Sequence, residues 1–462
     1  MKGSSHFIGI GGTGLSAIAR VLLERGEQVS GSDREDSSAL QALRQAGAQV
    51  HIGHVAGNVN GAARVIRSSA VGEDNVEVQA AHAKGIPVLK RAEFLNDLLA
   101  NQQVIAVAGS HGKTTTTAMI AWMLTALNQR PGFIIGSVAQ NLGANAAAGV
   151  GRLFVIEADE YDYMFLGLAP QLAVVTNVEH DHPDLFPTAD SFYEAFRRFA
   201  DRLQAGGSLL ACSDDPGARD LLAYAKGQGK ETHSYSYSHM HADYLATDLN
   251  PEADKGFSFK ALRGGKSLAE VHLQVAGLHN VSNALGALAV ADLLNLPVSE
   301  AAMALSDFRG TARRFEIRGE AGGVLVVDDY AHHPTEIRST LAAARARYPG
   351  RRLWAVWQPH TYSRTQILWD DFATAFAGAD RVLVTGVYAA REQAPTGFDM
   401  GALVTSIKHA EARYAGGLEE AGDYLLSEIR SDDVIVVMSA GDAIALSERV
   451  LNDLKRKESP HA

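Results

Sequence analysis

"VIAVAGSHGKTTTTAMIAWML", residues 104–124, is the stretch that decides the fold. An apolar strand at 104–108 runs into a glycine turn and then a helix start. Gly109, Gly112, Lys113 and Thr114 offer backbone N–H groups, one mobile cation and one hydroxyl able to reach a metal ion. A turn that only began a helix would gain nothing from Thr114–Thr117, a β-branched run of modest helix propensity. The stretch therefore reads as a cradle for a triphosphate. Its first glycine stands two residues later than the common phosphate-loop spacing would place it.

Upstream, residues 6 to about 100 alternate short apolar strands with amphipathic helices, the pattern of a parallel sheet covered on both faces. "GIGGTG" opens that segment, with Gly9, Gly11 and Gly14 between a strand and a helix. Such a turn lets backbone approach a diphosphate, and Asp33, ending the next strand, can hold a ribose hydroxyl. A nicotinamide dinucleotide, another diphosphate such as a nucleotide sugar, and a ligand-free turn are all open here.

Downstream, "VIEADEYD" places Glu157, Asp159 and Glu160 at a strand end, where a carboxylate can ligate Mg²⁺ beside the phosphate turn. "TNVEHDHPD" ends another strand and gathers His180, Asp181, His182 and Asp184. A third firm nitrogen or sulfur ligand for zinc is not evident, so Mg²⁺ with ATP fits this set better. Residues 230–275 alternate as a small antiparallel sheet, and after "RGTARRFE" the α/β alternation resumes. The fold class is α/β with three domains: Rossmann-like over 1–100, a P-loop-type ATPase domain over 101–312, and a second Rossmann-like domain over 313–462.

The chain has 462 residues, 46% hydrophobic and 21% charged, with a net charge of −11. That balance invites neither a nucleic-acid backbone nor an anionic membrane, so anionic ligands must be held by local donors. Cys212 is the single cysteine, which excludes an internal disulfide and reads as a core residue rather than a nucleophile. No apolar run reaches the ~18 residues of a membrane span. The opening "MKGSSHFIGIGG" does not read as a secretory signal, and a cytoplasmic protein, monomer or weak homodimer, is expected.

Together these stretches resemble the Mur ligase family, ATP-dependent amide-forming enzymes of peptidoglycan precursor synthesis. "GSHGKTTT" is similar to that family's variant phosphate loop, which accounts for the spacing. "EADEYD", "TNVEHDHPD", "GLHNVSN", "ARRFE" and "DDYAHHPTEI" follow in the family's order across essentially the whole chain. Within the family, "IGIGGTGLSAIA", "SSAV", "VLKRAEFL", "DDYAHHPTEI" and "QPHTYSRT" are most similar to the members that add L-alanine to UDP-N-acetylmuramate. "EADEYD" and "EHDHPD" lean instead toward the members that ligate a recycled tripeptide to the same sugar nucleotide. The turn also departs from the alanine-adding pattern, reading "GGTGLS" where isoleucine and methionine are common.

The resemblance implies roles. Gly9, Gly11, Gly12, Thr13, Gly14, Asp33, Ser69 and Arg91 would bind the UDP-sugar. Gly109, Ser110, His111, Gly112, Lys113, Thr114 and Thr115 would bind ATP phosphates, with His279, Asn280 and Asn283 at the adenine. Thr114 and Glu157 would ligate Mg²⁺, and His182 a second Mg²⁺. Arg314 and Asp329 would reach ATP from the last domain, which binds the amino acid, with Tyr330 and His332 near the cleft. His182 and His332 are the candidate bases for the incoming amine. "FYEAFRRFADRL" holds arginines where several family members carry a carbamylated lysine, so no carbamate is expected and Lys113 is the only essential lysine at the centre. The implied reaction activates the lactyl carboxylate as an acyl phosphate, which the amine of L-alanine attacks. A nicotinamide-dependent dehydrogenase and a non-catalytic nucleotide-binding regulator are the rival classes; the first leaves the central phosphate turn unexplained.

Overall fold

A computed structural model describes residues 4–252 and 255–458. Of the opening stretch read for a leader, residues 1–3 lie outside the described residues. Three sheets succeed one another along the chain.

The first is five-stranded and wholly parallel, in the order Gln49–Ile52, Gln28–Asp33, Ser4–Ile8, Arg64–Arg67, Val88–Lys90. Helix Thr13–Glu24 begins at the glycine turn and buries Leu15, Ile18, Ala19 and Leu22, one face at helical spacing. The helix also packs on the central hairpin Gly132–Ala139 and Ala144–Ala147, and Glu24 accepts a hydrogen bond from the Ala148 amide at 2.7 Å. A single apolar cluster runs from Phe7 and Ile18 through Ile134 and Ile156 to Phe192 and Phe199. The first two domains therefore share a core.

The central sheet has ten strands. Strand Gln103–Ala108, which leads into the phosphate turn, lies between Leu172–Val175 and Leu153–Glu157, parallel to both. Both acidic stretches thus leave the sheet at the same edge as the phosphate turn, where open α/β sheets bind ligands. Helix Lys113–Ala126 is buried along almost its whole length, between the sheet and helix Leu278–Leu293, so its sequence carries little amphipathic signal. Strands Tyr244–Pro251, Phe257–Arg263 and Lys266–His272 are antiparallel, as their alternation predicts. They do not form a separate small sheet: Tyr244 and Leu245 pair with Tyr235 and Ser236 and extend the central one.

The third sheet runs Glu316–Ala321, Val324–Asp329, Asp433–Met438, Arg352–Trp357, Arg381–Val384, Ala412–Tyr414, parallel except for its first pair. No helix among the described residues is long and apolar enough to cross a membrane.

Candidate active site

The phosphate turn is held open by its neighbours. Gly109 and Gly112 adopt φ of +139° and +80°, which favour glycine. A Cβ on Gly109 would collide with the Thr176 hydroxyl and come within 3.1 Å of the Asn177 amide nitrogen. Thr176 donates to the His111 carbonyl at 2.5 Å, and the Asn177 side chain accepts from the His111 amide at 2.8 Å. Ser110 bonds both the carbonyl and the amide of Glu179. Gly109→Ala therefore forces about 1–3 kcal/mol of strain into the loop, and nucleotide affinity is expected to fall on the order of tenfold or more. Calorimetric titration with a non-hydrolysable triphosphate measures it.

Lys113 folds over its own turn, donating to the Gly109 carbonyl at 2.5 Å and pairing with Glu160 at 2.9 Å. Glu160 is 1% exposed and also faces His182 Nε2 at 3.4 Å. Burial works against the charge on each group, yet Glu160 raises Lys113, Asp181 and Glu160 raise His182, and both cations lower Glu160. Beside them Thr114 donates to Glu157 Oε1 at 2.9 Å, while the Gly136 amide takes Oε2 at 2.6 Å. Burial pushes the Glu157 carboxyl up despite Lys113, a carboxylate short of positive charge. Of the other acidic-stretch residues, His180 turns into its own loop to bond the Phe186 carbonyl, and Asp184 accepts from Tyr161.

The last domain closes on this centre through charge. His111 lies between Glu179 (Nε2 to Oε2, 3.0 Å) and Glu336 (Nδ1 to Oε1, 3.4 Å). Burial alone would lower its pKa; the two carboxylates outweigh burial and raise it to about 9, while Glu179 falls to about 2. Glu336 also binds Arg314 at 3.1 Å and accepts from the His332 and His333 amides. Asp181 and Arg364, each 4% exposed, form a second buried pair across the domains at 2.9 Å. His111 is raised, so its contribution is complete below pH 6.5 and disappears as pH rises through about 9. Glu179 is depressed, so its share is present above 4.5 and lost toward about 2. Melting curves of wild type and His111→Gln should therefore differ most near pH 5–6.5 and converge above pH 9.

Asp329 accepts from the Phe315 and Ala331 amides, and burial lifts it to about 6. Arg314 and Arg313 both lie over the Tyr330 ring, at 5.1 and 5.0 Å. Burial holds His332 neutral, with its pKa near 3; its Nδ1 donates to the Tyr330 carbonyl at 2.9 Å, leaving Nε2 as an acceptor. His182 is the opposite case: Asp181 and Glu160 raise it against burial.

Two cavities flank the phosphate helix. The larger, about 860 Å³, is lined by His111, Gly112, Thr115, His279, Asn280 and Asn283, with Arg314 and Asp329 opposite. Asn280 and Asn283 bond one another at 3.0 Å, and burial keeps His279 neutral with a pKa of about 4. The smaller, about 530 Å³, receives residues of all three domains: Gly14 and Arg91; Lys113, Thr114, Glu157 and His182; Arg314, His332 and Arg364.

At the first glycine turn, the Gly9 and Ile10 amides bond the Ser32 carbonyl, and Gly11 donates to Asp33 Oδ2 at 2.7 Å. Arg91 pairs with Asp159 at 3.2 Å and crosses above Gly14. Thr13 and Gly14 line the smaller cavity, whereas Gly12 is the helix cap and Asp33, bonded to Gly11, is not among that cavity's lining residues. Ser69 is exposed; the neighbouring Ser68 is the one that packs on Gly9.

Sequence reasoning missed Glu179, Glu336 and Arg364 as individuals. Glu336 occupies the third position of a helix whose cap is His333, so it reads first as an ordinary capping carboxylate.

These are the parts of an ATP-driven ligase of acids and amines, and the chain belongs to the Mur ligase family. The descriptions "Mur ligase family, catalytic domain", "Mur ligase middle domain" and "Mur ligase, glutamate ligase domain" match residues 4–103, 107–291 and 313–441. The chain is 42% identical to the UDP-N-acetylmuramate--L-alanine ligase of Roseiflexus sp. (strain RS-1), over 98% of this chain and 99% of that one. Identity to the enzyme of the same name from Renibacterium salmoninarum is also 42%, over 98% and 96% of the two chains. The crystal structure of the UDP-N-acetylmuramate-alanine ligase of Thermotoga maritima superposes with a TM-score of 0.82 at 28% identity, covering 98% of this chain and 100% of that one. A murein peptide ligase from Psychrobacter arcticus 273-4 gives 0.72 at 28% identity, covering 98% of each chain. Membership of this family sets the dehydrogenase reading of the first glycine turn aside.

Proposed function

We propose that this chain is a cytoplasmic ATP-dependent ligase that joins L-alanine to the lactyl carboxylate of UDP-N-acetylmuramate, in peptidoglycan precursor synthesis. The observation that carries this reading is the smaller cavity, where a diphosphate-type glycine turn and a triphosphate cradle open onto one space. One turn grips the UDP-sugar and the other ATP, a nucleotide the Mur ligase family uses. The full-length likeness to alanine-adding enzymes selects the acceptor.

In this reading the domains divide at 1–100, 101–312 and 313–462. Thr13 and Gly14 present backbone to the UDP diphosphate, Gly9, Gly11 and Gly12 shape the turn that brings them there, and Arg91 is the nearby cation, with Asp33 and Ser69 at the periphery. His279, Asn280 and Asn283 meet the adenine in the larger cavity. Gly109, Ser110, His111, Gly112 and Thr115 wrap the phosphates, while Arg314 and Asp329 cover them from the last domain.

The Thr114 hydroxyl and the Glu157 carboxylate suit a hard dication, and His182, once it gives up the proton it shares with Glu160, suits a second. Bound there, Mg²⁺ would neutralise phosphate charge. Lys113 exchanges Glu160 for the γ-phosphoryl group and stabilises charge as that group passes to the carboxylate. His332, neutral with Nε2 free, takes the proton from the amine; an anionic phosphoryl group alongside raises its pKa for the task. Closure of the last domain excludes water from the acyl phosphate. The site draws on one chain, so a monomer or weak homodimer suffices.

Phosphate release with Mg-ATP and UDP-N-acetylmuramate tests the acceptor. Release on addition of L-alanine alone is the expected result. Release only with L-Ala-γ-D-Glu-meso-diaminopimelate would replace the proposal by the tripeptide-recycling reaction.

A further inference from the structure

We propose that His111, Glu179 and His333 form a binding site for a transition-metal dication of the Zn²⁺ class, set between the phosphate turn and the last domain. One ligand atom from each lies within 4.8 Å of the other two, and among the described residues this is the one group of three that does so. Two imidazoles and a carboxylate with a fourth position open are a donor set that zinc accepts. His333 is 2% exposed, and its Nε2 is buried without a hydrogen-bond partner. Its ring lies 4.6 Å from that of His111, centroid to centroid.

The surrounding contacts leave the three ligand atoms facing one another. His111 Nδ1 faces Glu336 at 3.4 Å, so Nε2 is available as the ligand with a carboxylate behind the ring. Thr335 donates its hydroxyl to Glu179 Oε1 at 2.8 Å, which leaves Oε2 for the cation. Two existing contacts would be exchanged. The bond between His111 Nε2 and Glu179 Oε2 becomes two metal bonds, its proton leaving to solvent. The ring proton of His333 moves to Nδ1, and the Thr335 amide gives up its 3.3 Å contact there. Imidazole ligands favour Zn²⁺ or Co²⁺ over Mg²⁺, so this site is chemically distinct from the hard-oxygen pair Thr114 and Glu157.

Glu179 follows a strand of the central sheet, whereas His333 starts helix Pro334–Arg347 of the last domain. A cation held by both fastens the two domains shut. His111 and Glu179 also line the larger cavity, so the fastened form obstructs exchange of the nucleotide.

Titration of Co²⁺ into the metal-free full chain, with Mg²⁺ in large excess, tests the site independently of activity. The expected result is one equivalent with the intense visible absorption of four-coordinate Co²⁺, displaced by Zn²⁺ and not by Mg²⁺. His333→Asn keeps a helix-capping side chain and removes the imidazole, and Glu179→Gln keeps an acceptor for His111 and removes the anion. Both should lose the absorption while retaining the wild-type circular dichroism. A weak six-coordinate spectrum, or a four-coordinate one that survives in either folded variant, would overturn the proposal and leave the three residues as an ion-pair latch only.

Discussion

Lys113→Met is expected to lower turnover by about a hundredfold or more, the cost of losing a preorganised donor aimed at developing charge. The same substitution removes the partner of Glu160, a carboxylate only 1% exposed. Breaking a buried pair from one side costs about 3–5 kcal/mol, unless the stranded group takes up a proton. Activity and stability should therefore fall together in the single variant, and the cause must be separated. Lys113→Met combined with Glu160→Gln removes both charges and should regain most of the lost thermal midpoint. Turnover should stay low in the double variant. Calorimetric melting and phosphate release on the same samples decide the matter. Recovery of turnover along with stability would mean that Lys113 only supports the fold.

Arg364→Ala is expected to undock the last domain. The guanidinium reaches Asp181 Oδ1 through Nε and through a terminal nitrogen, both at 2.9 Å, and both side chains are 4% exposed. Against burial, His182 and then Arg364 hold Asp181 well below the usual carboxylate range. With the arginine gone, that buried charge keeps only the neighbouring His182 against it and loses its partner across the closed interface. A penalty of about 3–5 kcal/mol corresponds to a loss of roughly a hundredfold to a few thousandfold in the docked population. The radius of gyration from solution scattering should rise, and the segment joining the last two domains should become protease-sensitive. Asp181→Asn added to Arg364→Ala should restore part of the compact form. Unchanged scattering in the single variant would mean that the apolar and His111–Glu336 contacts hold the domain without it.

Much of this was legible in the sequence because the phosphate turn, the glycine turn and the strands around them are local features. Strand 104–108, the helix from Lys113 and the strand ends carrying Glu157 and Asp181 all follow from patterns within a few residues. The hairpin Gly132–Ala139 and Ala144–Ala147 escaped, since glycine interrupts its alternation and small residues weaken its apolar signal. The fused central sheet escaped because the pairing of Tyr244 with Tyr235 depends on tertiary register, which local alternation does not encode. At the site, individual residues were readable while their partners were not. His111 reads as a loop residue until Glu179 and Glu336, 68 and 225 positions away, are brought to its two ring nitrogens. Lys113 reads as free to meet phosphate, yet the fold gives it Glu160. Ser69 shows the limit from the other side: a motif can match while the contact with Gly9 is made by the residue before it.

Incubation of the enzyme with Mg-ATP, L-alanine and UDP-N-acetylmuramate carrying ¹⁸O in the lactyl carboxylate tests whether the reaction passes through an acyl phosphate. Phosphoryl transfer to that carboxylate followed by attack of the amine must leave one labelled oxygen in the phosphate released and one in the new amide. Labelled phosphate should appear in step with product. Unlabelled phosphate, or product formed without phosphate release, would contradict it.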